Sequence, residues 1–218
     1  MRMRSRLLFA FLLLHPLTIP ATAQPDESSK QLRKPDLVEL VRLDSTIRLD
    51  IRYATSHNFM KRPMYTQARA FLQRPAANAL VRAHQSLRLQ GFGLLIFDAY
   101  RPWSVTKKFW DETPREKRKY VANPRKGSKH NRGCAVDLSL YDLKTEREVP
   151  MPSEYDDFTY RAAANYDGGT KEERKSRALL RLAMEKEGFA VNPDEWWHFD
   201  YKDWRKYGVL DVLFEEMK

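Results

Sequence analysis

Apolar and polar residues alternate from Ile47 to Tyr53, with Ile47, Leu49, Ile51 and Tyr53 on one side, the period of a half-buried strand. Pro75 then opens a helix in a favoured position. Ala77, Leu80, Val81, His84 and Leu87 line one face of it, and Gly91 stops it. Gly93 to Phe97 is a short apolar strand that runs into Asp98, Ala99, Tyr100, Arg101 and Pro102. Ser104 to Asp111 reads as a short helix, and Leu138 with its neighbours as another strand. Thr170, Lys171, Glu172 and Glu173 form a capping box. The helix it opens turns Leu179, Leu180, Ala183 and Met184 inward and ends at Gly188. A last strand starts near Trp197. Helices and strands mix without regular βαβ repetition or internal repeats. The pattern predicts an α+β class, with helices packed on a small, largely antiparallel sheet.

The first residues follow another pattern. Arg2, Arg4 and Arg6 precede the apolar run Leu7–Leu14, and Ala21-Thr22-Ala23 is a small-x-small cleavage site. Residues 1–23 therefore read as a secretory signal peptide, and 24–218 as a single domain. The apolar run is too short to span a bilayer, so no stable membrane insertion is expected after cleavage. Residues 24–36 are polar and read as a leader that orders late. Cys134 is the only cysteine of the 218 residues, which excludes a disulfide framework, a Cys-rich zinc cluster and a lipid-anchor cysteine. An exported chain without disulfides suits the periplasm.

The formal net charge is +10. Eight Lys or Arg residues and one acid, Glu116, lie between Arg115 and Arg132. The segment reads as a solvated loop, or as one weakly attracted to anionic envelope polymers. No nucleic-acid motif accompanies the charge.

Five histidines limit any imidazole chemistry to a short list. Two segments stand out: Ser128 to Asp137, containing His130 and Gly133, and Glu195-Trp196-Trp197-His198. His130 and Asp137 are seven apart, which in one regular strand puts them on opposite faces. They converge only if Asn131-Arg132-Gly133 turns the chain, with Gly133 free to take positive φ. Beyond that turn Val136, Leu138 and Leu140 share a core face, which Cys134 joins. Ala135, Asp137 and Ser139 share the other, leaving space around the Asp137 carboxylate. His198 would open the last strand while Glu195 stays in the preceding turn. Two histidines and one carboxylate make a catalytic zinc set with a position left for water. A second, non-ligating carboxylate then acts as general base. A single His beside an Asp is more often a hydrogen-bonded pair, and Glu-x-x-His alone occurs by chance in many proteins. His84 reads as a core or boundary residue, and His57 as surface or pocket rim.

These segments resemble the zinc D-alanyl-D-alanine dipeptidases, the VanX-like branch of the D-Ala-D-Ala metallopeptidase family. The resemblance rests on Ser128-x-His130-x-x-Gly133-x-Ala135-x-Asp137 and on Glu195-Trp196-Trp197-His198. Asp98-Ala99-Tyr100-Arg101-Pro102 and Arg52-Tyr53-Ala54-Thr55-x-x-Asn58-Phe59 extend it, from roughly residue 36 to 205. It implies one Zn2+ per chain held by His130, Asp137 and His198, and Glu195 as general base. It implies Arg101 as transition-state stabiliser, oriented by Asp98. Tyr53 and Asp156 would hold the substrate ammonium, and Ser128 would sit near its carboxylate. The implied reaction is hydrolysis of free D-Ala-D-Ala to two D-alanines by attack of a zinc-bound water. Two alternatives remain: a zinc D,D-carboxypeptidase trimming peptidoglycan stem peptides, and a non-catalytic wall-binding module. An ammonium clamp argues for the dipeptidase, because a carboxypeptidase has no use for one.

Overall fold

The structure, a computed structural model, describes residues 23–28 and 31–217. The expected signal peptide, up to Thr22, lies outside the described residues. In chain order the elements are β1 (Leu37–Glu39), α1 (Leu40–Leu43), β2 (Arg48–Leu49), β3 (Phe71–Gln73), α2 (Arg74–Arg88), β4 (Phe92–Asp98) and α3 (Trp103–Glu112). They continue with β5 (Ala135–Asp142), α4 (Lys171–Lys186), β6 (Phe189–Asn192) and β7 (Glu195–Tyr201).

Five strands form one sheet in the order β2-β4-β5-β7-β6, antiparallel except for β2 beside β4. β1 and β3 pair separately. The α+β reading holds. Helices α2 and α4 pack against each other and on the sheet, α2 over β4 and α4 over β5, β6 and β7. Their apolar stripes supply the contact: Ala77, Leu80 and Leu87 from α2, and Leu180, Ala183 and Met184 from α4, are buried. Thr170 and Glu173 form the expected capping box, satisfying two amide donors at the start of α4. Among the described residues no helix is long and apolar enough to cross a membrane.

Two expectations need correction. The strand expected over 47–53 has only two paired residues, because Arg52–Ala54 coils into one 3-10 turn. Arg52 is buried there between Asp50 (2.8 Å) and Glu148 (2.9 Å), and these ion pairs pull the chain off the sheet edge. Glu195 is the first residue of β7 rather than part of the turn before it. Glu27 anchors the leader, accepting from Arg132 Nη2 at 2.8 Å and from Val209 N at 2.8 Å. His84 is a core residue. Its Nδ1 accepts from Leu94 N at 3.0 Å, so its other nitrogen carries the proton toward Thr46 Oγ1 at 2.9 Å. His57 lies at the surface beside Arg52.

Candidate active site

Three neighbouring strands bring acids and a histidine into one row. Asp137 on β5 lies opposite His198 on β7, and on its other side opposite Asp98 on β4. A register shift between Ile96 and Asp98 turns Asp98 to this position. The second face of β5 is thus the one expected from its small residues.

His130 reaches the same point from the turn before β5. Residues His130–Arg132 make one 3-10 turn, and Gly133 takes φ 64°, so the sequence's turn is the observed one. That positive φ favours glycine, and a Cβ there would also lie 3.3 Å from the Gln73 amide nitrogen and force the Leu37 side chain to move. The turn is locked from outside. Asn131 Nδ2 donates to the Arg101 carbonyl (2.9 Å) and to Thr106 Oγ1 (2.8 Å), and Gln73 Nε2 donates to the Arg132 carbonyl (2.9 Å).

Both imidazoles have their outward nitrogen occupied. His130 Nδ1 donates to the Ala99 carbonyl at 2.6 Å, and His198 Nε2 donates to Asp200 Oδ1 at 3.0 Å. A carbonyl can only accept, so His130 Nε2 presents a lone pair in the neutral ring. His130 Nε2, His198 Nδ1 and Asp137 Oδ1 then form a triangle with sides of 3.1, 2.9 and 3.3 Å. Three acceptors this close need a cation between them. Donors on a tetrahedral ion at about 2.0–2.2 Å stand roughly 3.3–3.5 Å apart, so the triangle fits a metal after a few tenths of an ångström of expansion. These three residues could hold a metal ion. Without one, a proton takes its place: burial opposes charge on His198, but the bonds to Asp137 and Asp200 push its pKa up to about 10. His130, and after it His198, hold the Asp137 carboxyl well below the usual range despite its burial.

Glu195 stands at the edge of the triangle, with Oε2 3.8 Å from His198 Nδ1. Three residues apart on a regular strand they would face oppositely. The register shift between Val191 and Asn192 puts extra residues in β7 and returns both to the cavity side. Burial raises the Glu195 pKa, and Asn192 Nδ2, donating to Oε2 at 2.9 Å, opposes that shift.

Arg101 is buried and charged. Its Nε (2.9 Å) and Nη2 (2.6 Å) both donate to Asp98 Oδ2, and its guanidinium carbon lies 5.2 and 4.9 Å from the Tyr53 and Phe109 ring centres. The orienting role expected of Asp98 has its geometry. Tyr53 and Asp156 also meet, Tyr53 OH donating to Asp156 Oδ1 at 3.1 Å. Phe59 N donates to the other carboxylate oxygen at 3.2 Å. Burial, then Asp137, push the Asp156 pKa up to about 7. Ser128 Oγ accepts from His130 N at 3.2 Å, at the start of the turn. All the expected residues except Asp98 line one cavity of about 850 Å3, and Asp98 stands behind Arg101. The basic segment forms part of the same wall through Lys119, Tyr120 and Lys126.

Sequence reasoning missed four supporting groups. Asp200 holds His198 and pairs with Lys129, and it stands two residues on along β7, so the strand period alone could have found it. Tyr155 OH donates to Asp137 Oδ2 at 3.0 Å, Tyr65 OH to Asp98 Oδ1 at 2.8 Å, and Asn192 to Glu195. No local signal marks these three.

Potential metal donors lining a cavity, beside a carboxylate left outside the triangle, are the arrangement of a metal-dependent hydrolase. The D-ala-D-ala dipeptidase family model, Peptidase_M15, matches residues 33–214, and the chain belongs to that family. The D-alanyl-D-alanine dipeptidase of Escherichia coli K12 is 31% identical over 179 residues, covering 82% of this chain and 91% of that protein. That of Enterococcus faecium is 34% identical over 178 residues, covering 72% of this chain and 87% of that protein. A solved structure of the vancomycin-resistance D,D-pentapeptidase VanY, in complex with Zn(II), aligns with a TM-score of 0.39 at 17% identity, over 62% of this chain and 79% of that one.

Proposed function

We propose that the chain is an exported, zinc-dependent dipeptidase that hydrolyses free D-Ala-D-Ala to two D-alanines. The observation that carries this reading is the pairing of two sites in one cavity: a three-donor metal triangle, and the Asp156 carboxylate with Tyr53. A carboxylate so placed suits the free ammonium of a dipeptide. An acylated N-terminus leaves that charge unmatched, which is costly in a buried site.

His130, Asp137 and His198 would hold one Zn2+, which supplies a Lewis acid for the peptide carbonyl and acidifies the attacking water. Glu195 takes the proton of that water and delivers it to the amine of the leaving D-alanine as the peptide C–N bond breaks. Its raised pKa suits both halves of this transfer. Arg101, fixed by Asp98, faces the oxyanion as charge develops there, a contribution of roughly 2.7–4 kcal/mol when a comparable donor is removed. Ser128 borders the end of the cavity that takes the substrate carboxylate.

The n-region, apolar run and cleavage site of residues 1–23 support export, and the periplasm is the compartment this reading assigns. There the enzyme would act on wall-derived dipeptide, with its basic segment weakly attracted to anionic polymers. The test is hydrolysis of D-Ala-D-Ala beside N-acetyl-D-Ala-D-Ala, with and without chelator. The free dipeptide should be cleaved, the acetylated one spared by about 10²-fold or more, and chelation should stop turnover. Equal rates on both substrates would replace the dipeptidase by a D,D-carboxypeptidase. No hydrolysis by the zinc-loaded protein would leave the wall-binding module.

A further inference from the structure

Beyond Asp156 lies a second cavity of about 480 Å3, bounded by residues from the 59–61 loop, the end of α3 and the start of the basic segment. Among the described residues, none of the metal triangle, nor Glu195 or Arg101, lines it. Three residues line both cavities: Phe59, Asp156 and Phe158. They are the partition. Phe158 is braced on both sides. Its ring stacks on Tyr120 at 4.8 Å and 8°, and meets Phe59 at 5.2 Å. Phe59 is fixed in turn by the hydrogen bond its backbone N–H donates to Asp156 and by ring contact with Phe109 at 5.1 Å. Tyr120 belongs to the basic segment, so that segment helps to shut one end of the reaction cavity.

The direction matters. A peptide running from the metal triangle to Asp156 presents its N-terminus there. An N-linked extension would continue through the partition into the second cavity. We propose that Phe158, braced by Tyr120, is the specificity-determining residue that limits the substrate to two residues, by closing off a subsite for N-linked extensions. The closed subsite suits an extension with an anionic end. Lys61 and Lys117 line it, and Glu112, its acid besides Asp156, is already paired with Arg62.

This inference rests on the proposed placement of the ammonium at Asp156, and the experiment separates the two. The quantity measured is kcat/KM for D-Ala-D-Ala, N-acetyl-D-Ala-D-Ala and N-succinyl-D-Ala-D-Ala, whose succinyl group ends in a carboxylate. In the wild type both acylated peptides should be poor substrates. If they are cleaved as fast as the dipeptide, the dipeptidase reading fails. In Phe158→Ala the ratio of N-succinyl to free dipeptide should rise at least tenfold, mainly through KM for the acylated peptide. Phe158→Tyr, which keeps the ring, should retain the wild-type ratio. A folded, active Phe158→Ala with an unchanged ratio overturns the partition while the dipeptidase reading stands. If that variant fails to fold, Phe158→Leu and Tyr120→Ala carry the same test, with a smaller rise expected. An unchanged ratio in both overturns the proposal. Adding Lys117→Glu to the opened variant should lower the gain for the N-succinyl peptide more than for the N-acetyl one. Equal effects on the two would remove the anionic preference.

Discussion

At the metal end of the cavity, Asp137, His198 and Glu195 project from hydrogen-bonded strands, and only His130 comes from a turn. At the other end, Tyr53 sits in a single 3-10 turn and Asp156 in a loop with φ 60°, a left-handed conformation uncommon for a side chain other than glycine. Its partners come from distant segments, with Tyr53 103 positions away and Phe59 97. The metal end inherits its precision from strand register, where shifting one residue would reverse every side chain. The Asp156 end depends on loops clamped by aromatic contacts. Chemistry that tolerates little displacement stands on the sheet, and substrate choice is delegated to segments whose alteration leaves the sheet intact.

If that division is right, damage at the sheet end should be catastrophic and damage at the loop end selective. The largest effect belongs to His198→Ala. It should lose stoichiometric metal, read by elemental analysis, and with it nearly all turnover. Full metal and full activity would break the comparison at its root. Glu195→Gln should keep metal and fold while kcat falls by about 10²–10⁴, the usual worth of a positioned acid-base group. Metal loss in that variant would make Glu195 a ligand.

At the loop end, Asp156→Asn should cost the free dipeptide about 2–5 kcal/mol, as breaking a buried charge pair does. That is roughly 30- to 4,000-fold in kcat/KM at 1.4 kcal/mol per decade. The N-acetyl peptide should lose far less, so the ratio between the two should narrow. The pH profile sharpens this. The Asp156 pKa is pushed up to about 7, and the carboxyl must be ionised to hold an ammonium. The kcat/KM for the dipeptide should therefore fall as pH drops below the Asp156 pKa, and Asp156→Asn should lack that limb. A cation at the metal triangle offsets the share of the shift that Asp137 contributes, so the limb moves to lower pH in the metal-loaded enzyme. The smallest effect expected is that of Asp200→Asn. With its proton acceptor on His198 weakened, metal affinity should drop about 10- to 100-fold, measured by competition with a chelator. No change would mean that His198 is held without it.

Much of this site could be read one-dimensionally. Gly133 had to turn, because His130 and Asp137 could not otherwise meet, and it takes the positive φ that this required. The capping box of α4, the inward stripe of α2 and the small-residue face of β5 were equally local facts. Glu195 shows where local reading stopped. Its side of the strand is set by a register shift against β6, and no residue within β7 announces that shift. Arg52 shows it again, since an alternating strand pattern gave way to burial of an arginine between Asp50 and Glu148.

The sequence by itself determined the three longer helices, the central strands, the class of fold and the donors of the metal triangle. Each of these is written in periods of two or 3.6, in caps and turns, or in a motif a few residues long, and such signals act between near neighbours. Tertiary structure alone decided that Tyr155 would hold Asp137, that Asn192 would tune Glu195, and that Phe59, Asp156 and Phe158 would divide two cavities. Those contacts join loops far apart in the chain. A loop side chain finds its partner through the packing of everything between them, and no spacing along the chain records that.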